Sequence, residues 1–247
     1  MIVYKSPNEI DKIKAAGAIV KKTLNLLSEN LKPGITTGEL DKIAEDFIRS
    51  QDAVPSFKGY NGFPGSICAS IDDEVVHGIP GSRKLAEGQI IGIDVGAFKD
   101  GYHGDAAWTF AIGEIDEETE KLMAVGQECL KRGIDKARVG NRLGDVGHAI
   151  QEYAESQGYS VVRDLVGHGI GKKLHEEPQV PHYGKAGTGL SLKPGLVIAI
   201  EPMINAGVFQ VNVKNDNWTI VTADGKRSVH FENTIAVTDN GPVILTR

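Results

Sequence analysis

The spacing of hydrophobic residues near the start of the chain predicts an amphipathic helix. Ser6 and Glu9 have the S-x-x-E form of a capping box, with Pro7 at the first helical position. Small or apolar residues then recur every three or four positions, at Ile10, Ile13, Gly17, Val20, Leu24, Leu27 and Leu31. This spacing places them on one buried face. After a Pro-Gly break, a second amphipathic helix is expected over about 37–51.

The second half of the chain repeats this order of elements. Two more helices are expected between about 116 and 157, with a turn after about residue 136. Gly140 and Gly144 precede the helix that ends near residue 157. Gly34 and Gly38 precede the helix over about 37–51 in the same way, 106 residues earlier.

Buried strands carry acids at matched positions. Residues 90–95 have the β-branched run of a strand buried on both faces, yet Asp94 lies within it. The preceding Leu85-Ala-Glu-Gly88 has a counterpart at Leu192-Lys-Pro-Gly195, 107 residues later, which leads to Glu201.

A second pair of acids extends the repeat. His103-Gly-Asp105 opens the strand DAAWTFAIG, and His230-Phe-Glu232 opens ENTIAVTDNG. A repeat held over helices and strands predicts an α+β fold in a single domain, 1–247. Its two similar halves, about 6–113 and 114–247, would face each other across a pseudo-twofold axis. Chance similarity among common L-x-x-G turns is the alternative.

Twofold pairing would bring four carboxylates together: Asp94, Asp105, Glu201 and Glu232. Buried like charges repel, and leaving them unpaired costs free energy. Two divalent cations would balance the charge. A core of ordinary salt bridges is the alternative, but it does not explain why the acids recur in both halves.

Histidines add a second type of ligand. VGHGIG places His168 between glycines, which allow close approach of a ligand. His175 follows in LHEEPQV, and His77 precedes a glycine in EVVHGIP. A lone histidine is more often structural, but the glycines favour a functional role for His168. Imidazole among carboxylates shifts metal preference from magnesium or calcium towards manganese, iron, cobalt or zinc.

Composition limits the classes of function. The chain has 247 residues and a formal net charge of −6, which argues against nucleic acid as a substrate. Its first residues soon turn polar, and no apolar run reaches membrane-spanning length, so neither a signal peptide nor membrane insertion is expected. The two cysteines, Cys68 and Cys129, are expected to be reduced thiols in a cytoplasmic protein. A monomer is expected.

The ordered set of acids and histidine resembles the five metal ligands of the methionine aminopeptidases, which have the pita-bread fold. The set is Asp94, Asp105, His168, Glu201 and Glu232. The local motifs agree: HGIP at 77–80, IDVG at 93–96, HGD at 103–105, GHGIG at 167–171, HEEPQVPHY at 175–183 and IEPM at 200–203. The resemblance covers nearly the whole chain. Because the sequence shows neither an N-terminal extension nor a long insertion before the catalytic strands, it resembles the short bacterial type I form.

This resemblance implies removal of N-terminal methionine from nascent polypeptides whose second residue is small. Asp94 would chelate one of two divalent ions (cobalt, manganese, iron or zinc), and Asp105 and Glu232 would bridge both. His168 and Glu201 would complete the second ion's ligands. A hydroxide shared by the ions would be the nucleophile, with Glu201 as proton shuttle.

The resemblance also implies roles in substrate binding. His175 would hold the substrate carbonyl oxygen as it gains negative charge, and His77 would contact the scissile amide and help its nitrogen leave. An apolar slot for the methionine side chain would be walled by Tyr60, Phe63, Cys68, Leu174 and Trp218. Phe63 and Leu174 replace a tyrosine and a phenylalanine of many relatives, and both keep the wall apolar. Alternatively, the aromatic residues around GYNGFPGS anchor a loop.

Other interpretations remain open at the level of sequence. Aminopeptidase P and prolidase share the five-ligand pattern but usually carry an additional N-terminal domain. Non-catalytic pita-bread binding modules exist, although they typically lose metal ligands. Contact with the ribosome is expected of an enzyme that acts on nascent chains, but no residue here locates a docking surface.

Overall fold

Four α-helices form as the sequence predicts. The structure is a computed structural model that describes residues 1–246. Its helices are α1 (Pro7–Asn30), α2 (Thr37–Ser50), α3 (Glu117–Lys136) and α4 (Leu143–Ser156). Ser6 caps α1 in the predicted capping box with Glu9. Thr36 and Glu39 form the same arrangement at α2, so each of these helix starts is set by its own short sequence.

Apart from one short 3-10 helix over Tyr60–Gly62, antiparallel strands make up the rest of the regular structure among residues 1–246. In chain order they are β1 (Val54–Pro55), β2 (Ile67–Ile71), β3 (Glu74–Val76), β4 (Ile90–Lys99), β5 (Tyr102–Ala111), β6 (Ser160–Val161), β7 (Gly167–Gly169), β8 (Glu176–Val180), β9 (Val197–Ile200), β10 (Met203–Asn205), β11 (Val211–Val213), β12 (Ile220–Thr222), β13 (Ser228–His230), β14 (Asn233–Thr238) and β15 (Gly241–Ile244). One sheet has the order β1-β4-β2 with β5 beside β4, and another has the order β15-β14-β9-β7-β8. Two three-stranded sheets, β13-β10-β6 and β11-β12-β3, complete the α+β architecture.

The β4–β5 hairpin places two of the predicted acids on one face. Asp94 pairs with Ala107, and Asp105 pairs with Gly96. Directly paired residues share a face, as do alternate residues along a strand, so both carboxylates lie on the same side. The strand β5 begins at Tyr102 rather than at the expected His103–Asp105 opening, because the two turn residues, with φ of 50° and 85°, allow pairing to resume at once.

The strands β9 and β14 bring the other two acids against this hairpin. Glu201 directly follows β9 and Glu232 directly precedes β14, and these two strands pair with those ends together. The N–H of Glu232 donates to the carbonyl oxygen of Ala107 at 2.9 Å. The Thr234 hydroxyl donates to the carbonyl oxygen of Asp105 at 2.8 Å. The two halves of the chain are therefore joined at the acids themselves.

Glycine allows α1 to pack closely behind the same hairpin. Gly17, predicted on the buried face, lies so near the residue after β15 that a Cβ would be 2.3 Å from the carbonyl oxygen of Leu245. A Cβ on Gly104 would be 2.6 Å from the backbone nitrogen of Gly17. Larger residues at either position would push α1 away from β5, which carries Asp105.

Matched contacts support the predicted division into two halves. An isolated bridge joins Thr36 to Lys84 in the first half, and another joins Arg142 to Ser191 in the second. Thr36 and Arg142 are the N-caps of α2 and α4, so the two bridges occupy equivalent places in the predicted repeat. The boundary between 6–113 and 114–247 stays a prediction.

A buried ion pair anchors the residues before α1 to the start of β8. The Lys5 Nζ lies 2.6 Å from Glu176 Oε2, and the two side chains are 2% and 13% exposed. The N–H of Lys5 also donates to the carbonyl oxygen of Gly195 at 2.7 Å. Because Glu176 directly follows His175, this anchor lies beside one of the predicted functional histidines.

The substitution Lys5→Met is expected to lower the free energy of unfolding by about 3–5 kcal/mol, because it leaves the Glu176 carboxylate buried without its cation. Thermal denaturation followed by circular dichroism should show a fall in Tm of about 10 °C. The double variant Lys5→Met/Glu176→Gln, which removes the stranded charge, is expected to recover most of that loss. A single variant that melts within about 2 °C of the parent would contradict the role of the pair.

Candidate metal centre and substrate cavity

The five predicted metal ligands lie together in one cavity of about 950 Å³. One ligand atom from each of Asp105, His168 and Glu232 lies within 4.8 Å of the other two. The Nε2 atom of His168 lies 3.5 Å from Glu201 Oε1. Asp94 lines the same cavity and shares the hairpin face with Asp105. Residues from distant parts of the sequence thus converge as predicted.

Hydrogen bonding prepares His168 to act as a ligand. Its Nδ1 lies 2.9 Å from the carbonyl oxygen of Gly169, which can only accept, so Nδ1 carries the proton. The unprotonated Nε2 therefore faces the acids, at 3.9 Å from Asp105 Oδ2. A metal-binding imidazole commonly has its other nitrogen fixed in this way.

The acids are buried with unused acceptor capacity. Asp105 and Glu232 are 3% and 2% exposed. One oxygen of each, and one of Asp94, is buried without a hydrogen-bond partner among residues 1–246. Such orphaned oxygens are rare in native proteins and are accounted for when an ion is bound.

Burial opposes ionisation of these groups. It raises the pKa of Asp94 to about 7 and that of Glu201 to about 8. Burial, reinforced by the neighbouring carboxylates, also raises the pKa of Asp105 and Glu232 well above the usual range. A bound divalent cation favours the ionised carboxylates and offsets both effects. The carboxylate and imidazole donors therefore fit a divalent metal ion.

Two further histidines support the cluster, and sequence reasoning assigned neither of them a role. The His182 Nε2 accepts a hydrogen bond from the N–H of Glu201 at 3.1 Å, and its side chain is fully buried. The His230 Nε2 lies 3.7 Å from Glu201 Oε2. Both occur inside motifs noted in the sequence, but contact with Glu201 depends on strand pairing that the motifs do not reveal.

The two predicted substrate-binding histidines also line the cavity. The ring of His175 packs edge-on against that of His168, with centroids 4.3 Å apart. His77 has a φ of 60°, an unusual conformation for a residue other than glycine and one that is enriched at functional sites. Burial lowers the pKa of His77 to about 4, which keeps its ring neutral at physiological pH.

The five residues predicted to wall an apolar slot form one cluster on the cavity surface: Tyr60, Phe63, Cys68, Leu174 and Trp218. Phe63 and Trp218 pack edge to face with centroids 5.1 Å apart. The cluster places an apolar surface and the acids in the same cavity, and its role in binding a methionine side chain stays a prediction.

Comparison with known proteins places this arrangement in a family. Residues 11–239 match metallopeptidase family M24. The chain belongs to this family. This protein is 56% identical over 247 residues to methionine aminopeptidase of Clostridium acetobutylicum, and the match covers 100% of this chain and 99% of that protein. It is also 56% identical to methionine aminopeptidase 1 of Bacillus subtilis, covering 100% of both.

Solved structures of related proteins have the same fold as this chain. The crystal structure of methionine aminopeptidase from Rickettsia prowazekii matches this M24 chain with a TM-score of 0.99 and 42% identity, covering 100% of both chains. Prolidase from Pyrococcus furiosus has a TM-score of 0.81 at 23% identity, with 99% of this chain and 65% of that one covered, and so shares the fold alone. The predicted pita-bread fold and the resemblance to methionine aminopeptidases are confirmed. Within residues 1–246, no helix is both long and apolar enough to cross a bilayer.

Removing metal from this M24 chain is expected to lower its Tm. A ligand that binds only the folded state at a hundredfold excess over Kd contributes about 2.7 kcal/mol, or a shift of about 5–10 °C for a chain of this size. In the folded protein the pKa of Asp94 is about 7 and that of Glu201 about 8, and both exceed the pKa of a carboxyl in an unfolded chain. The stability of the metal-free protein therefore falls as the pH rises through these two values. Melts with chelator should therefore show a larger deficit at pH 8 than at pH 6. Equal midpoints with chelator and with added manganese would contradict a shared metal centre.

Proposed function

We propose that this M24 chain is a divalent-metal-dependent aminopeptidase that removes the N-terminal methionine from polypeptides. The observation that carries the proposal is the convergence of an acid–histidine cluster and an apolar slot in one cavity. Similarity over the full chain to proteins named methionine aminopeptidase supports the same activity.

The metal roles follow the resemblance, and each is supported by position. By the resemblance, Asp105 and Glu232 would be shared by two ions and Asp94 would complete the ligands of one of them; Asp105 and Glu232 have ligand atoms within 4.8 Å of each other and of His168. His168 and Glu201, 3.5 Å apart, would hold the second ion. Bound divalent cations lower the pKa of water and so supply hydroxide near neutral pH. Cobalt, manganese, iron and zinc all suit this donor set.

The residues around the ions would orient the substrate and move protons. His175 would donate a hydrogen bond to the carbonyl oxygen of the scissile amide as negative charge develops there. His77 would contact the same amide near its nitrogen and help it leave. Glu201 would carry the proton from the attacking water to that nitrogen, a general acid–base role.

The cavity supports a preference for methionine followed by a small residue. The slot built on Phe63 and Trp218 offers an unbranched thioether an apolar, aromatic surface. The substrate's free α-amino group would lie at the acids, which would restrict cleavage to the first residue. By the resemblance, the second residue would lie beside the ions, in a cavity that His77 and His175 line, and the space there would favour a small side chain.

The direct test combines metal analysis with a peptide assay. Purified full-length protein should contain a divalent transition metal, cleave Met-Ala-Ser, and lose that activity on chelation. Leu-Ala-Ser and Gly-Ala-Ser serve as controls for the slot. Absence of both bound metal and peptidase activity would favour a non-catalytic pita-bread module.

A proline-specific activity is the alternative that the sequence left open, and prolidase from Pyrococcus furiosus shares the fold. At 23% identity this likeness supports no substrate assignment. Gly-Pro and Xaa-Pro peptides in the same assay separate the two activities. Preference for proline peptides over Met-Ala-Ser would replace the proposed function.

The setting of the activity remains a prediction. Nascent chains are made in the cytoplasm, and the two free cysteines are both buried, as suits a reducing compartment. We expect a monomer that meets its substrates at or near the ribosome. Analytical ultracentrifugation and co-sedimentation with ribosomes test these two expectations separately.

A further inference from the structure

Tyr60 is hydrogen-bonded to a ring nitrogen of His175. The phenolic oxygen lies 2.7 Å from His175 Nδ1, and the two rings are tilted with centroids 5.2 Å apart. This contact occupies one side of the imidazole and leaves Nε2, on the other side, for a ligand in the cavity that His175 lines. The hydroxyl of Tyr60 therefore has a function separate from that of its ring in the apolar slot.

The direction of this hydrogen bond follows from acidity and distance. A phenol is a much stronger acid than the N–H of neutral imidazole, and the unprotonated imidazole nitrogen is a better acceptor than a phenolic oxygen. The distance of 2.7 Å between heavy atoms is typical of an O–H donor, whereas N–H donors usually lie about 2.9–3.0 Å from their acceptors. Tyr60 therefore donates and Nδ1 accepts, which leaves the ring proton on Nε2.

We propose that Tyr60 is a positioning residue that fixes neutral His175 with its proton on Nε2, so that the ring presents a hydrogen-bond donor to the scissile carbonyl. This inference rests on the proposed peptidase function. The neighbouring His168 has the opposite tautomer, since its Nδ1 donates to Gly169. Two imidazoles in edge-to-face contact, 81° apart, thus perform opposite tasks: His168 offers a lone pair to metal, and His175 offers a proton to substrate.

The substitution Tyr60→Phe isolates the hydroxyl because it keeps the aromatic ring in the slot. A residue that only walls the slot would leave kinetics unchanged. In Tyr60→Phe, kcat for Met-Ala-Ser should fall about five- to tenfold while KM stays within about twofold of the parent value, because the hydrogen-bond donor acts on charge that develops in the transition state. The matched control is Tyr102→Phe, which removes a hydroxyl that donates to Glu9 rather than to a histidine, and both constants should be retained.

A second measurement reads the tautomer itself and needs no activity. Long-range ¹H–¹⁵N spectra of histidine-labelled, zinc-loaded full-length protein distinguish protonated from unprotonated ring nitrogens. Spectra are recorded at pH about 8, above the usual histidine pKa of about 6.5. The signals of His175 are assigned by their loss in His175→Gln. The parent should show a protonated Nε2 and an unprotonated Nδ1, and Tyr60→Phe should change the Nδ1 signal whereas Tyr102→Phe should not.

A double-mutant cycle tests whether the hydroxyl of Tyr60 acts through His175. Tyr60→Phe introduced into His175→Gln should cause less than about a twofold further loss of kcat, because the hydroxyl acts through the imidazole. An equal loss in both backgrounds, or a parent spectrum with the proton on Nδ1, overturns the proposal. If the parent fails to cleave Met-Ala-Ser yet shows the expected tautomer, the proposed function fails while the hydrogen-bond assignment stands.

Discussion

Replacing His168 by alanine is expected to lower kcat for Met-Ala-Ser by more than about a hundredfold, since partners that only support ligands already cost about 10–100-fold when removed. The Nε2 atom of His168 faces both Asp105 and Glu201, at 3.9 Å and 3.5 Å, and no other imidazole of the five-ligand set replaces it. Loss of this donor should weaken metal binding and the activation of water together. Steady-state kinetics with metal titration measure both effects.

The matched control is His148→Ala, on the exposed face of α4, where the imidazole lies 3.8 Å from Glu152. This variant should retain full activity. Asp94→Asn provides the complementary test on the second proposed ion, because asparagine keeps the shape of the ligand and removes its charge. Retention of more than about a tenth of kcat by either ligand variant, equivalent to less than about 1.4 kcal/mol of barrier, would contradict the assignment.

Stability separates a lost ligand from a damaged fold. Burial raises the pKa of Asp94, so ionisation of this carboxyl opposes folding when no metal is bound. Asp94→Asn should therefore melt no lower than the parent in the presence of chelator, while losing the stabilisation that added metal gives the parent. A functional site built at the expense of stability behaves in this way.

The features that sequence predicted well are those with local signals. The capping box of Ser6 and Glu9 sets the start of α1 through hydrogen bonds within four residues, and the structure retains it. The predicted meeting of Asp94 and Glu201 rested on the repeat instead. In the structure, hydrogen bonds at Asp105 and Glu232 join β5 to the start of β14. Asp94 lies on the strand beside β5 and Glu201 follows the strand beside β14, so the same contact brings these two acids into one cavity.

The features that sequence missed depend on long-range packing. His182 lies 19 residues before Glu201, and only the assembled strands bring its Nε2 to the N–H of Glu201. The positive φ of His77 is likewise invisible in the motif HGIP. The hydroxyl of Tyr60 meets a histidine 115 residues away, so the sequence placed Tyr60 only in an apolar wall. Roles of polar groups follow from partners, and partners follow from tertiary structure.

The second residue of the substrate should control cleavage more strongly than any residue after it. Met-Ala-Ser is expected to exceed Met-Ile-Ser in kcat/KM by at least about a hundredfold, because a clash of a few kcal/mol in the transition state suffices. Isoleucine branches at Cβ, and its stiff χ1 leaves it little freedom to turn away from the groups that flank the metal centre. His77 and the edge-packed pair of His168 and His175 bound the space beside the acids.

The chain carries its own test of this rule, because it begins with Met1-Ile2. Met1 is fully exposed, so burial of the terminus would not protect it from a second enzyme molecule. The chain produced without a tag should therefore keep Met1, and an Ile2→Ala variant should lose it, both determined by intact-mass spectrometry. The Ile2→Ala change alters the substrate sequence while leaving every proposed ligand in place. Comparable cleavage of Met-Ala-Ser and Met-Ile-Ser, together with loss of Met1 from the parent chain, would show that the cavity tolerates a β-branched second residue and that the activity is a broader one.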